Sequence, residues 1–222
     1  MTDINAAPPR LTAFDWVPDF ARGYVRDLRP RWACAEIGLS YSTRLINAVD
    51  RPPDYFAEQP WGQVPLFEDG GLAIFESGAI LLHLGEKDER LLPRDPKRRM
   101  ATISWLFAAY SSIEPWIFEI SNVELFSADQ EWAKLRRPGL LEDAGRRLDR
   151  LADALGDRDW LTGDFSIADI AMVTALRDDC DTGLIAQRPR LAAYLERGTE
   201  RPAFQAALAA QLADLKPEPV AA

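Results

Sequence analysis

The hydrophobic pattern of this chain of 222 residues changes at a short polar segment, Lys87 to Pro96, which contains two prolines. Before this segment, short apolar runs typical of strands alternate with amphipathic helical patterns, whereas after it only helical patterns occur. Polar segments that contain proline are typical of linkers between domains. We therefore predict an α/β domain over residues 9–88 and an all-helical domain over residues 97–215.

The first domain is predicted to follow the order strand, helix, strand and then strand, strand, helix. A turn of Asp69, Gly70 and Gly71 separates two short apolar runs, which is the pattern of a β-hairpin. Gly38 directly follows a helical pattern and is expected to end that helix. In chain order, the predicted elements are a strand at Leu11–Phe14, a helix at Tyr24–Ile37, a strand at Tyr41–Asn47, a proline-rich loop, hairpin strands at Leu66–Phe67 and Leu72–Ile74, and a helix at Ser77–Glu86.

The second domain is predicted to be a bundle of amphipathic helices. One helix start is specified in detail, with Ser166 as the N-cap residue and Asp169 placed to return a hydrogen bond to its amide. Phe165 and Ile170 occupy the positions of a hydrophobic staple. We expect this helix to be buried. The predicted helical stretches are Lys97–Phe126, Glu131–Leu155, Ser166–Asp179, Arg190–Arg197 and Pro202–Leu215.

The composition argues against several classes of function. A formal net charge of −9 and a pI near 4.8 argue against nucleic acid as a partner, because phosphate binding requires clustered Lys and Arg. The apolar runs fall short of the ~18 residues that a membrane span requires. The N-terminal sequence lacks the basic and apolar regions of a secretory signal. We therefore expect a cytoplasmic protein without membrane contact.

The two cysteines, Cys34 and Cys180, are far apart and each lies in an apolar helical pattern. The chain has no C-x-x-C motif, which argues against dithiol redox chemistry and the usual zinc sites. We predict buried cysteines and no metal centre. His83, the single histidine, also lies in an apolar helical pattern and is expected to be a packing residue.

The segment from Gln59 to Ile80 carries polar groups that indicate a binding site. A loop ends at Val64-Pro65, the hairpin follows, and Glu76-Ser77 begins a helix. This order supplies main-chain groups beside a proline and a helix N-terminus that carries its own hydroxyl. Such an arrangement suits a short extended peptide with a carboxylate at one end.

Two motifs resemble those of the cytosolic glutathione S-transferases, VPLFEDGGLAIFESGAI in this segment and WLTGDFSIADI at the start of the capped helix. They lie in different domains, and the resemblance covers nearly the whole chain. It implies a thioredoxin-like N-terminal domain, an all-α C-terminal domain, glutathione as co-substrate and a homodimer.

The resemblance also implies a glutathione site in the first domain. Val64 precedes the proline that is cis in the family, Pro65, and its N–H and C=O are expected to pair with the cysteinyl unit as an added strand would. Glu76 and Ser77 match the pair that holds the γ-glutamyl end, and Gln63 matches a position near the glycyl carboxylate. The alternative interpretation of Glu76 and Ser77 is a helix cap.

The residue that activates the glutathione thiol is less well defined. A free thiol has a pKa of ~8.5, and the family stabilises the thiolate with a Tyr, Ser or Cys after the first strand. Here that region is an insertion, DWVPDFARGYVRDLRPRW, without Ser or Cys. Tyr24 aligns with the catalytic position, but it could instead face the domain contact. Arg22 and Arg26 are the alternatives, either as cations that lower the pKa of the thiol or as side chains that are solvated or bind a carboxylate substrate.

The resemblance implies a pocket for a small apolar electrophile between the domains. Trp16 and Phe20 of the insertion and Tyr110 and Trp116 of the first long helix are the predicted lining residues. An aromatic stripe at helical spacing can equally belong to a core. Further aromatic residues of the same region are Phe118, Phe126 and Trp132.

Two hypotheses of function follow. The first is an enzyme that activates glutathione as a thiolate for conjugation to a small apolar electrophile, or for its reduction or isomerisation. The second is a non-catalytic protein of the same fold that binds or scaffolds partners. The insertion and its lack of Ser and Cys motivate the second hypothesis.

Overall fold

The structure, a computed structural model, describes residues 8–179 and 182–217, so Cys180 lies outside the described residues. It forms two compact units. One contains the described residues up to Lys87 together with those from Pro202, and the other runs from Asp88 to Arg201. The second unit differs from the predicted helical domain, residues 97–215, because the last predicted helix packs in the unit that contains the sheet.

The first unit is built on the strands β1 (Arg10–Phe14), β2 (Ser42–Ile46), β3 (Leu66–Asp69) and β4 (Leu72–Phe75). They form one sheet in the order β2-β1-β3-β4, in which β1 and β2 are parallel and the other neighbours are antiparallel. The middle of β1 is buried, as expected for an inner strand of a sheet that is covered on both faces. The sheet confirms the predicted thioredoxin-like class.

The predicted turn between β3 and β4 is also confirmed. Asp69 pairs with Leu72, so Gly70 and Gly71 form a two-residue hairpin loop. Their φ angles are 56° and 85°. Loops of this type need positive φ at both positions, which glycine adopts without steric cost. The Asp-Gly-Gly sequence therefore determines the register of the hairpin.

The register of the sheet brings three chain connections to one end. Leu66 pairs with Thr12 of β1 and with Phe75 of β4. Since both pairings are antiparallel, the chain that leaves β1, the chain that enters β3 and the chain that leaves β4 lie at the same end. The insertion after β1, Val64-Pro65 and Glu76-Ser77 are therefore close together in the fold.

The first unit also contains the helices α1 (Leu28–Ile37), α2 (Tyr55–Glu58) and α3 (Ser77–Lys87). Gly38 ends α1 with a φ of 69°, as predicted, and α3 agrees with its predicted range within one residue. The sequence pattern does not predict α2, because a single turn is too short to show helical periodicity.

The predicted start of the first helix at Tyr24 is wrong, because α1 begins at Leu28. The preceding chain makes tight turns in which N–H groups donate to the carbonyl three residues earlier. Examples are Tyr24 N to Ala21 O at 3.0 Å and Leu28 N to Val25 O at 3.0 Å. Gly23, with a φ of 84°, also excludes a right-handed helix that would begin before Tyr24.

The regular elements described in the second unit are mainly helices, which confirms its predicted class. They are α4 (Pro96–Ala108), α5 (Glu114–Ser121), α6 (Glu131–Leu155), α7 (Ile167–Leu176) and α8 (Pro189–Thr199). A π-helical turn, Ala109–Ile113, joins α4 to α5. Pro115 at the start of α5 has no N–H to donate to the preceding turn, and a wider turn accommodates this break.

The buried helix α7 begins with the predicted capping box. Ser166 Oγ accepts a hydrogen bond from Ala168 N at 3.3 Å, and Asp169 Oδ2 accepts one from Ser166 N at 3.0 Å. Asp169 Oδ1 also accepts from Leu161 N at 3.0 Å and from the Tyr194 hydroxyl at 2.9 Å. The Asp169 carboxylate is buried, so it ties the start of α7 to the preceding loop and to α8.

The last helix, α9 (Pro202–Asp214), packs on α1 within the first unit. The rings of Trp32 and Phe204 meet edge to face with their centroids 4.9 Å apart. The buried Arg31 guanidinium lies 2.7 Å from a carboxylate oxygen of Asp214. These apolar and ionic contacts explain why α9 groups with the sheet.

Replacement of Asp169 by alanine is expected to lower the free energy of unfolding by roughly 3–5 kcal/mol, because several buried donors would lose their acceptor at about 1–3 kcal/mol each. Chemical denaturation followed by circular dichroism measures this loss. Asp153→Ala on an exposed part of α6 is the matched control and should change stability little. An equally small effect of both substitutions would contradict the role of Asp169.

Candidate functional site

The chain that enters β3 is held by two buried side chains, neither of which is among the predicted site residues. Gln59 Oε1 accepts hydrogen bonds from Trp61 N at 2.7 Å and from Gln63 N at 3.2 Å. The Tyr55 hydroxyl donates to the Gln63 carbonyl at 2.6 Å. Gln59 and Tyr55 are each 2% exposed. Their contacts fix the path of the loop into Val64.

Val64 and Pro65 present a main-chain edge after this loop. Their peptide bond is cis, which confirms the expectation from the resemblance. The Val64 side chain packs in a core with Ile46, Tyr55 and Leu66. Within residues 8–179 and 182–217, no group makes a hydrogen bond with the Val64 main chain. Because main-chain groups without a partner are uncommon in folded proteins, this edge is suited to an added peptide.

Glu76 and Ser77 form the start of α3. Glu76 has a φ of 69° and is the one residue other than glycine with a positive φ in the described part of the chain. Its carbonyl accepts from Ile80 N at 3.0 Å, so Glu76, and not Ser77, occupies the capping position. A left-handed backbone costs such a residue about 1–2 kcal/mol, and residues of this kind concentrate at functional sites.

The hydroxyl of Ser77 contacts an arginine that is not among the predicted site residues. Arg29 Nη1 on α1 donates to Ser77 Oγ at 3.3 Å, and both residues are 2% exposed. A buried guanidinium beside a helix N-terminus favours a bound anion, because both contribute positive charge. The signal in the sequence is that Arg29 and Arg31 interrupt an otherwise apolar run at the start of α1.

The pairing of Leu66 with Phe75 places the Val64 edge and the Ser77–Arg29 contact side by side at the open end of the β3–β4 hairpin. The free edge of Val64 lies on one strand connection, and the pair of Ser77 and Arg29 lies at the other. Gln63, whose side chain is exposed, directly precedes the free edge. The arrangement can hold an extended peptide by its main chain and a carboxylate at one end of it.

The insertion between β1 and α1 contains the predicted activating residues. Tyr24 lies in a turn four residues before α1, and 46% of its surface is exposed. Arg22 is partly buried, and its Nη1 donates to the Lys216 carbonyl at 3.1 Å. Arg26 is partly buried, and its carbonyl accepts from Arg29 N at 3.2 Å. Of the three candidates, Tyr24 has the most accessible side chain.

The insertion is held by α9 and by the chain that follows it. The buried Gln211 side chain donates to the Val25 carbonyl at 3.0 Å and to Asp27 Oδ1 at 2.7 Å. Lys216 Nζ lies 2.6 Å from Asp15 Oδ2, and Lys216 N donates to the Asp15 carbonyl at 2.8 Å. These contacts bracket Tyr24 on both sides and limit the positions that its turn can adopt.

Two other reactive side chains of the first unit have structural roles. Cys34 is buried, and burial raises the pKa of its thiol to about 12, so the thiol stays protonated near neutral pH. His83 Nε2 lies 2.7 Å from Asp69 Oδ2, and Lys87 Nζ lies 2.6 Å from the same oxygen. His83 therefore joins α3 to β3, in agreement with its predicted packing role.

The predicted pocket residues divide between the two units. In the first unit, Trp16 is partly buried and Phe20 is 56% exposed. In the second unit, Tyr110 lies in the π-helical turn and Trp116 lies on α5, both partly buried. The other aromatic residues of this region, Phe118, Phe126 and Trp132, are exposed and do not form a core.

Among the residues that the structure describes, no group of His, Cys, Asp and Glu side chains has an arrangement that could hold a metal ion. None of the helices in the same residues combines the length and the apolar character that crossing a membrane requires.

Comparisons with known proteins agree with the motifs. The family model for the glutathione S-transferase N-terminal domain matches residues 19–86. Glutathione S-transferase GstA of Escherichia coli O157:H7 is 32% identical over 75% of this chain and 83% of its own length. Disulfide-bond oxidoreductase YfcG of Escherichia coli K12 is 34% identical over 73% of this chain and 79% of its own length.

Solved structures show the same fold. A glutathione transferase from Pseudomonas putida, with one glutathione disulfide bound per subunit, superimposes with a TM-score of 0.78 at 26% identity and covers 90% of each chain. These similarities extend through most of the sequence and include both units. The chain belongs to the glutathione S-transferase family of enzymes.

Proposed function

We propose that this enzyme binds glutathione at the end of its sheet, with Gln63, Val64, Pro65, Glu76 and Ser77 as the binding residues. The cysteinyl unit pairs with the Val64 main chain, the γ-glutamyl carboxylate lies at Ser77, and Gln63 donates to the glycyl carboxylate. The observation that carries this proposal is the buried contact of Arg29 with Ser77 at the N-terminus of α3. The Arg29 guanidinium supplies positive charge beside the unpaired main-chain edge of Val64.

The proposed role of Tyr24 is to donate a hydrogen bond to the glutathione sulfur. At neutral pH only a few per cent of a thiol with a pKa of ~8.5 is ionised, so a donor that favours the thiolate raises the concentration of the nucleophile. The exposure of Tyr24 and the bracketing contacts of α9 support this role. Arg22 and Arg26 remain the alternatives, although the guanidinium of Arg22 already binds the chain after α9.

The proposed reaction is conjugation of the thiolate to a small apolar electrophile. A carbon–sulfur bond forms, and the electrophile either expels a leaving group or takes up a proton. Trp16, Phe20, Tyr110 and Trp116 are the proposed contacts of this substrate. The enzyme is proposed to act as a cytoplasmic homodimer.

Reduction of a disulfide is a second candidate reaction. The relative named a disulfide-bond oxidoreductase and the neighbour with bound glutathione disulfide favour it. Two glutathione molecules would supply the two electrons, giving two substrate thiols and one glutathione disulfide. Cys34 is buried and stays protonated, so both reacting thiols are proposed to belong to glutathione. Isomerisation of a substrate after thiolate addition would use the same groups.

Ser77→Ala is expected to weaken glutathione binding by about 1–3 kcal/mol, because a buried hydroxyl that meets a charged group would be lost. Isothermal titration calorimetry measures the affinity. Ser40→Ala, at an exposed site of the same unit, is the control and should bind as the unmodified protein does. Lower stability of Ser77→Ala with unchanged affinity would instead give the contact between Ser77 and Arg29 a structural role.

The ultraviolet absorbance of bound glutathione thiolate, followed against pH, tests the enzyme against the non-catalytic alternative. The expected result is a thiol pKa below ~8.5 in the complex. Tyr24→Phe should shift this pKa back towards ~8.5 and reduce turnover, while the affinity for glutathione is retained. Binding without a lowered thiol pKa would favour the scaffold. Unchanged turnover in Tyr24→Phe would transfer the activating role to Arg22 or Arg26.

A further inference from the structure

Helix α9 carries one polar side chain on its buried face. Its buried residues are Phe204, Ala207 and Gln211, at the three- and four-residue spacing of a single helix face. Gln211 is 2% exposed. A buried amide lowers stability unless its polar atoms find partners, so the contacts of Gln211 indicate its role.

Gln211 makes its hydrogen bonds with the insertion. Its Nε2 donates to the Val25 carbonyl at 3.0 Å and to Asp27 Oδ1 at 2.7 Å. Its Oε1 is buried and accepts no hydrogen bond from any of the described groups. Because an unsatisfied buried oxygen is unfavourable, stability alone does not explain a glutamine at this position. What the amide provides is two donors, directed at residues that follow Tyr24 by one and three positions.

A second residue of α9 contacts the other side of Tyr24. The main chain of Gly23 packs so closely on α9 that a Cβ at this position would lie 3.1 Å from Leu208 Cδ1. Leu208 and Gln211 are three residues apart and therefore lie on one face of the helix. Both chain neighbours of Tyr24 thus contact α9, while 46% of the surface of Tyr24 is exposed.

The attachment of α9 to α1 is secured by contacts other than those of Gln211. The ring contact of Phe204 and the ion pair of Asp214 join the two helices directly. The hydrogen bonds of Gln211 instead go to residues that precede α1. Gln211 therefore fixes the turn that contains Tyr24 and adds little to the packing of the helices.

We infer that Gln211 is a positioning residue for the activation of glutathione, holding the turn of Tyr24 where the phenol can donate to the sulfur. This role rests on the proposed function, in which Tyr24 is the donor. A hydrogen bond weakens steeply when its distance and angle change, so a turn released from α9 would favour the thiolate less. Gln211 acts through Tyr24 and not through contact with glutathione.

Gln211→Met tests this role, because methionine is flexible and similar in length but has no strong donor. The absorbance of bound glutathione thiolate, followed against pH, is expected to show a thiol pKa shifted towards ~8.5. Turnover should fall about tenfold, because a small displacement of a catalytic group slows the reaction steeply, while the calorimetric affinity for glutathione stays within about twofold.

A double variant separates positioning from a structural role. Gln211→Met should add little to the effects of Tyr24→Phe, because the donor that it positions is then already absent. Gln205→Met, at an exposed position of the same helix, is the matched control and should behave as the unmodified protein does. If Gln211→Met does not fold, Leu208→Ala loosens the contact with Gly23, retains the hydrogen bonds and should change both quantities in the same direction.

An unchanged thiol pKa and unchanged turnover in the folded α9 variant would overturn the inference and leave the proposed function intact. Losses that add in full to those of Tyr24→Phe would do the same, because they would show that Gln211 does not act through Tyr24. Failure of the proposed function gives a different result. Tyr24→Phe alone would then leave the thiol pKa unchanged, and the positioning role would be overturned with it.

Discussion

The register of the four-stranded sheet is the constraint on which the candidate site depends. Leu66 pairs with β1 on one side and with β4 on the other, and this double pairing brings three separate chain connections to one end. A slip of one residue would turn the buried side chains of β3 outwards and move Val64 away from Ser77. The glycine loop at Gly70 and Gly71 prevents such a slip, because a two-residue hairpin with this geometry permits one register.

Helix α1 connects this end of the sheet to the end of the chain. Arg29 reaches Ser77 from the first turn of α1, while Arg31 binds Asp27 and Asp214 at 2.7 Å each. Loss of one partner from a buried ion pair is costly, whereas the intact pair adds little to stability. The two arginines therefore act mainly through their positions. Arg29 brings positive charge to the candidate site, and Arg31 holds α9 where α9 contacts the insertion.

The features that the sequence predicts correctly are those that short-range chemistry determines. The Asp-Gly-Gly turn, the end of α1 at Gly38 and the capping box of Ser166 and Asp169 each follow from local backbone or hydrogen-bond requirements. The helical character of the second half follows from its periodicity. The binding roles of Val64, Glu76 and Ser77 stay predictions, although their positions at one end of the sheet suit those roles.

The features that sequence patterns miss depend on contacts between distant segments. Tyr24 lies outside α1 because tight turns around Gly23 replace the helix, although the residues themselves are helix-compatible. The buried guanidinium of Arg29 contacts Ser77, 48 residues away. Likewise, α9 groups with the sheet through Arg31 and Phe204 contacts that its own composition does not reveal.

A crystal structure of the protein grown with millimolar glutathione would show directly whether glutathione occupies this end of the sheet. We expect the cysteinyl main chain within hydrogen-bonding distance of Val64 N and O, with the γ-glutamyl carboxylate at Ser77 and near Arg29. The group closest to sulfur would then be visible. Glutathione bound elsewhere, or a glutathione-free end of the sheet at that concentration, would contradict this placement of the site.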